Sequence, residues 1–133
     1  IVEGRGSKKS TYKIVGEDEI DTANKYIRSI TKDEKNNLWF IGDLTLFKFN
    51  LNTKKLRTFE TDKYFLATSI CKTPAGTIWV STNSGAINKY DPTTDSFRSY
   101  NVFDKSKETP YHWIEKIYSA DNDFILIVCE IVI

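Results

Sequence analysis

From Ile27 onward the apolar residues fall in short runs separated by polar, turn-forming stretches. Ile27–Lys32 leads into the polar segment Asp33–Asn37. Leu38-Trp39-Phe40-Ile41, Leu46–Asn50 and Leu56–Phe59 follow. The same order returns about forty residues later, at the period expected of a repeated supersecondary unit. Ala67–Ile70 precedes Thr73-Pro74-Ala75-Gly76, and Ile78-Trp79-Val80, Ile87–Asp91 and Phe97–Tyr100 complete the second copy. Trp39 maps onto Trp79 and Ile30 onto Ile70. Asn50–Thr53 maps onto Asp91–Thr94, now one residue further along. The slip has a local origin: one copy turns at Gly42-Asp43, the other at the longer Asn83-Ser84-Gly85. Both use residues that tolerate tight hairpins.

Each run is strand-length, alternates in part, and is bounded by Gly, Pro, Asn, Asp or Thr, which predicts antiparallel hairpins. Helical periodicity is weak throughout, and Glu17–Lys25, with no apolar face, reads as a loop. Four short strands per unit predict an all-β fold, a partial β-propeller of about two full four-stranded antiparallel blades plus flanking strands. Residues 26–60 form one blade and 61–101 a second. A third copy begins at Trp113–Ile117, turns at Asp121-Asn122-Asp123 and adds a strand over Phe124–Cys129, so 102–133 reads as a loop and the first strands of a truncated blade. Upstream, 11–25 reads as the last strand of a preceding blade, Thr11–Val15, and a loop. Residues 1–10 read as a cloning scar or a disordered segment, with native sequence an equal alternative for IVEGRGS. The repeated positions Ile30, Trp39, Ile70, Trp79 and Ile117 are the expected core, because a repeated apolar side chain in a repeated strand normally packs against the next unit. Closed propellers have four to eight blades. This chain should therefore leave edges open and self-associate through them.

Composition narrows the functional classes. The 133 residues carry 19 Lys and Arg against 18 Asp and Glu, a net charge of +1. That balance gives no basic footprint for nucleic acid. No apolar stretch is long enough for a membrane-spanning helix, and no signal peptide is visible at the start. Cys71 and Cys129 are outside any CxxC motif. Two buried thiols are the preferred reading, with a disulfide as the alternative. His112 is the lone histidine, so a His-rich metal site is excluded, and a packed or solvated role is preferred to a catalytic one. Asp121–Asp123 lacks the Gly and the distant Glu of a calcium loop. Glu17, Asp18 and Glu19 read as a charged loop rather than paired catalytic carboxylates. No phosphate-binding glycine loop is present. No cofactor or metal is expected, and an enzyme is the third reading.

The motif Ile78-Trp79-Val80-Ser81-Thr82, then Gly85, then Lys89-Tyr90-Asp91-Pro92 resembles the two-component-regulator propeller repeat. The resemblance covers roughly residues 11–129. The first copy departs from it at Gly42-Asp43, and the third has Leu126 near the place of the Trp. That resemblance implies part of the periplasmic sensor of a Bacteroides-type hybrid two-component histidine kinase and response regulator. Such sensors take breakdown products of complex carbohydrates, and none of the kinase parts is in this chain. The loops leading into the inner strands of a propeller gather on one face. Here they carry Tyr26, Tyr64, Phe65, Tyr111, His112 and Trp113. Aromatic rings with polar tips suit an oligosaccharide, although for any one of these residues plugging a blade mouth is the preferred role. A structural or protein-interaction propeller fragment with no small ligand is the alternative function.

Overall fold

The fold comes from a computed structural model, which describes residues 2–5, 8–11, 26–59, 66–103 and 113–129. β1 (Val2–Arg5) and β2 (Lys8–Thr11) pair antiparallel, with Val2 opposite Thr11. The stretch 1–10, read above as scar or disorder, thus holds one strand and most of another. Of the strand expected at Thr11–Val15, Thr11 ends β2 and the rest lies outside the described residues.

The first four-stranded sheet runs β3 (Ile27–Lys32), β4 (Asn37–Gly42), β5 (Thr45–Asn50) and β6 (Leu56–Phe59), each strand beside its successor in sequence. The second repeats this with β7 (Ala67–Lys72), β8 (Ile78–Thr82), β9 (Ala86–Asp91) and β10 (Ser96–Asn101). β11 (Ile114–Ser119) and β12 (Ile125–Cys129) form a two-stranded third sheet. The repeat extends to the backbone. Asn36 and Gly76 hold φ of 60° and 88° in equivalent turns, and Lys54 and Asp95 hold 59° and 52° in another pair. At Gly76 a Cβ would come within 3.3 Å of Glu34 on the first sheet, so both the left-handed backbone and the close approach favour glycine.

Strand alternation gives each sheet two faces. Trp39, Ile41, Leu46 and Phe59 project from the first sheet onto Ile70, Ile78 and Val80 of the second, with Tyr90 and Phe97 closing the cluster. Trp39 is fully buried. Its ring stacks on Phe59 at 5.5 Å and meets Tyr90 edge-on at 4.6 Å. The opposite face of the second sheet, with Cys71, Trp79 and Ile87, packs on Ile114, Ile117, Ile125 and Ile127 of the third. Phe40, Phe47 and Phe49 form a separate buried cluster on the other face of the first sheet.

The expected core needs one correction. Trp39, Ile70 and Ile117 are buried and Trp79 is half-buried, but Ile30 is 57% exposed. Ile30 pairs with Phe40, on the face of the first sheet turned away from the second. Ile70 and Ile117, its counterparts, each have a preceding sheet to pack on.

Two further links join the sheets. Each first strand carries a bulge, between Ile27 and Ser29, Ala67 and Ser69, and Ile114 and Lys116. The Ile70 N–H donates to Ser29 Oγ at 3.2 Å, and the Ile117 N–H to Ser69 Oγ at 3.3 Å. The third sheet has Lys116 at that position, which has no hydroxyl to accept such a bond. At the outer edge, Lys48 Nζ meets Tyr90 Oη at 3.0 Å and Asp95 Oδ1 at 2.6 Å, while Arg57 pairs with Asp95 Oδ2.

Replacing Trp39 with Ala should cost about 3–5 kcal/mol, the range for truncating a fully buried large aromatic. Trp79→Ala should cost less, because Trp79 is half-buried. Urea denaturation of the two variants checks the order, and equal losses would contradict the burial asymmetry.

Candidate functional site

Of the residues singled out above, Tyr26 and Trp113 are described, and both stand at the end where the first strands begin. Tyr26 stands there just before β3 and is 79% exposed. Its N–H donates to Asp43 Oδ1 at 3.4 Å, and its carbonyl accepts from the Asp43 N–H at 3.3 Å. Asp43 and Leu44 both hold positive φ, 48° and 66°, the two-residue type I′ geometry that suits the strand twist. The Leu44 carbonyl accepts from the Ala67 N–H at 2.8 Å, tying this turn to the second sheet. Leu66 in turn accepts from the Asn83 N–H at 3.0 Å. Trp113 lies half-buried just before β11. Tyr26 and Trp113 thus flank the same end, one at the first sheet and one at the third. Tyr64, Phe65, Tyr111 and His112 lie outside the described residues.

The sequence marks Asn83 only as a turn residue. Its Oδ1 is buried without a hydrogen-bond partner, the one such side-chain atom among the described residues. An unpaired buried acceptor costs about 1–3 kcal/mol, which a donor would recover. Beside it, Thr82 Oγ1 and Ser84 Oγ are 2.9 Å apart. The second sheet also has polar side chains at buried positions that are apolar in the first. Thr68 Oγ1 and Ser81 Oγ lie 2.8 Å apart, and Asn88 Nδ2 donates to the Val80 carbonyl at 3.2 Å. Ser81 and Asn88 take the places of Ile41 and Phe47. The Ser-Thr-Asn-Ser run carried this signal in the sequence, but strand alternation alone does not separate a buried hydroxyl from a solvated one.

The opposite end is organised by Asp33. Its Oδ1 accepts from the Lys35 and Asn37 N–H groups at 2.8 and 2.9 Å. Its Oδ2 accepts from Asn37 Nδ2 and Trp39 Nε1, both at 2.8 Å. Burial pushes this carboxyl up, but the bonds from Trp39, Asn37 and Lys35 together bring it below 3.8. The stability it contributes is therefore present above pH 3.8 and lost as pH falls through its lowered folded-state value. A cleft of about 540 Å³ opens at this end, with Asp33, Lys35, Gly76, Lys89, Asp91 and Arg98 in its wall. Its volume is within the range of ligand sites. It is not where the expected aromatic residues lie. Among the described residues no cluster of three metal-ligating side chains occurs, and no helix is long and apolar enough to cross a membrane.

No protein-family model matches the chain, and no curated protein matches it. Solved structures do. The extracellular domain of a B. thetaiotaomicron system, described as one-component and also as hybrid two-component, superposes with a TM-score of 0.62 at 22% identity, over 79% of this chain. A second such domain, from another hybrid two-component system of that organism, gives 0.60 at 20% identity over 78%. The fold is that of propeller blades. Virginiamycin B lyase from Staphylococcus aureus also shares it, with a TM-score of 0.62 at 16% identity over 91% of this chain. The chain spans 15% and 16% of the two extracellular domains and 38% of the lyase. At these identities the likeness is one of fold, and one fold serves both an extracellular domain of a hybrid two-component system and a lyase.

Cys71 and Cys129 are both free thiols in the cluster between the second and third sheets. Burial pushes Cys71 up to about 11 from 9.0, and burial also raises Cys129. A raised thiol favours folding fully below pH 9.0 and loses that contribution as pH rises toward about 11. Stability followed across this window should fall in the native chain and fall less in Cys71→Val. Alkylation at pH about 8 should modify Cys129 before Cys71, because access and thiolate fraction both govern the rate. The reverse order would place Cys71 outside the cluster.

Proposed function

We propose that this chain is part of the extracytoplasmic, periplasmic sensor region of a hybrid two-component system. In this reading it receives a carbohydrate breakdown product at the end marked by Tyr26, Asn83 and Trp113. The observation that carries the ligand is Asn83: a buried acceptor without a partner, at the end where Tyr26 exposes its ring. A sugar supplies what both lack, since its hydroxyls donate and its C–H faces cover an aromatic ring. The sensor assignment rests on the fold shared with the two Bacteroides extracellular domains and on the repeat motif of the second sheet. Signalling chemistry lies elsewhere in such a system, so the role of these blades is binding. The cleft at the opposite end has charged turns for walls and offers no comparable pairing of bare ring and unpaired acceptor.

A second reading, a blade fragment that only contacts other protein surfaces, has its own support. Tyr118, Leu126 and Val128 are exposed on one face of the third sheet, and exposed apolar faces mark interaction sites. Calorimetric titration with a panel of neutral and acidic oligosaccharides separates the two. The sensor reading expects one class to bind, with affinity reduced about tenfold or more (about 1.4 kcal/mol) in Tyr26→Ala or Asn83→Leu, and with an unchanged circular dichroism spectrum. Recovery of the sugar intact after incubation checks that it is bound rather than cleaved. No binding by any class, or equal binding by both variants, would overturn the assignment.

A further inference from the structure

The β8–β9 turn places glycine where its backbone turns left-handed: Gly85 holds a φ of 81°. The matching β4–β5 turn does not. Asp43 and Leu44 hold φ of 48° and 66° there. A two-residue turn of this kind favours Asp followed by Gly, because both central residues need positive φ. Asp43 meets that preference and Leu44 breaks it. Of the five non-glycine residues at positive φ among the described residues, Asn36, Asp43 and Asp95 are of types that tolerate it, whereas Leu44 and Lys54 are not.

The core does not account for the leucine. Leu44 is half-buried and belongs to none of the three buried clusters. Its carbonyl accepts from the Ala67 N–H at 2.8 Å, a bond that any residue could make. Glycine there would keep that bond and relieve the backbone. Leu66 is also half-buried and outside the three clusters. Backbone bonds set both leucines between the two groups of the proposed sugar site. The Asp43 N–H bonds the Tyr26 carbonyl at 3.3 Å, and the Asn83 N–H bonds the Leu66 carbonyl at 3.0 Å. The order along this end is therefore Tyr26, Asp43-Leu44, Leu66-Ala67 and Asn83. An exposed ring, two half-buried leucines and an unpaired acceptor follow one another.

We propose that Leu44 is a specificity-determining residue of this end, kept against its turn preference because, with Leu66, it receives a methyl group of the ligand. The ligand is then a sugar that bears a methyl, either C6 of a 6-deoxyhexose or the acetyl methyl of an N-acetylhexosamine. Tyr26 covers a C–H face of the sugar. The methyl lies on the two leucines, where apolar surface leaves water on both sides of the contact. A hydroxyl donates to Asn83 Oδ1. Backbone strain that the core does not require is a recurring mark of functional positions. The inference rests on the sugar-binding reading and narrows its ligand.

Leu44→Gly separates a ligand role from a packing role. Thermal unfolding of the intact chain, followed by circular dichroism, should show a higher midpoint in this variant, because the turn gains its preferred residue and the core loses nothing. Calorimetric titration then uses three oligosaccharides that differ only in the terminal residue: a 6-deoxyhexose, an N-acetylhexosamine or the corresponding hexose. The native chain should bind one methyl-bearing sugar at least about tenfold more tightly than the hexose, the lower end for one carbon in an apolar pocket. Which of the two it prefers identifies the source of the methyl. Leu44→Gly should bind that sugar and the hexose alike, while Leu44→Met should keep the preference. A lower midpoint for Leu44→Gly would make Leu44 a packing residue and overturn the inference. Native binding with no preference for the methyl would also overturn it, and would leave the sugar-binding reading standing. Binding of none of these sugars, nor of the broader panel, would overturn both.

Discussion

A four-stranded sheet with two apolar faces cannot bury either by itself, and here Trp39 is where that problem is solved. Its ring is enclosed between Phe59 on its own sheet and Tyr90 and Phe97 on the next. Its one polar atom is satisfied by Asp33, so full burial leaves no donor unpaired. Lys48 lies over the same ring and carries the contact outward to Asp95. Ser29, on the neighbouring strand, binds the Ile70 amide and fixes the register of the second sheet against the first. The hydrophobic contact supplies the driving force, and the polar contacts around it decide the alignment.

Much of this was legible in the chain. Trp39 and Trp79 in equivalent runs announced the repeat, and the extra turn residue before Gly85 accounted for the slip in register. Asn83-Ser84-Gly85 became a hairpin turn, whereas the turn expected at Gly42-Asp43 falls one residue later, at Asp43-Leu44, with Gly42 ending β4. What escaped has identifiable causes. Ile30 looks like Ile70 in sequence, yet its exposure depends on whether a sheet lies on its outer face, a tertiary fact that local pattern does not encode. Ser29 and Ser69 recur at the same place, but a hydroxyl in a strand reads as solvated until the neighbouring sheet is known. Asp33 was a turn residue in the sequence; the indole bond six residues on gives it a further role. Asn83 was hidden in the same way, inside a run whose composition suits any turn. Tyr26 and Trp113 stand before the first strands of the first and third sheets, whereas Tyr64, Tyr111 and His112 belong to segments outside the described residues.

The two ends of the sheets differ in character. Tyr26, Asn83 and Trp113 belong to the end whose turns bond through the backbone, Leu44 to Ala67 across the first two sheets and Leu66 to Asn83 within the second. Such bonding holds side chains in place without using them, which leaves them available to a ligand. At the other end side chains are consumed by structure: Asp33 on Trp39, Lys72 on Glu34 at 3.0 Å, and Asn122 Oδ1 on the Ala75 N–H at 2.8 Å. The functional proposal follows that division, with ligand recognition at the end of Tyr26, Asn83 and Trp113.

The central claim is that the first two sheets are one cooperative unit closed around Trp39, and native-state hydrogen exchange tests it most directly. Exchange of the amides in β4, β5, β8 and β9, followed at rising sub-denaturing urea, reports the opening free energy of each strand. The account predicts that amides of Phe40 and Phe47 on the first sheet merge with those of Val80 and Ile87 on the second into a single opening reaction. It also predicts that β11 and β12, a two-stranded sheet among the described residues, open at lower cost. Separate isotherms for the first and second sheets would show that each folds alone, and would contradict the account.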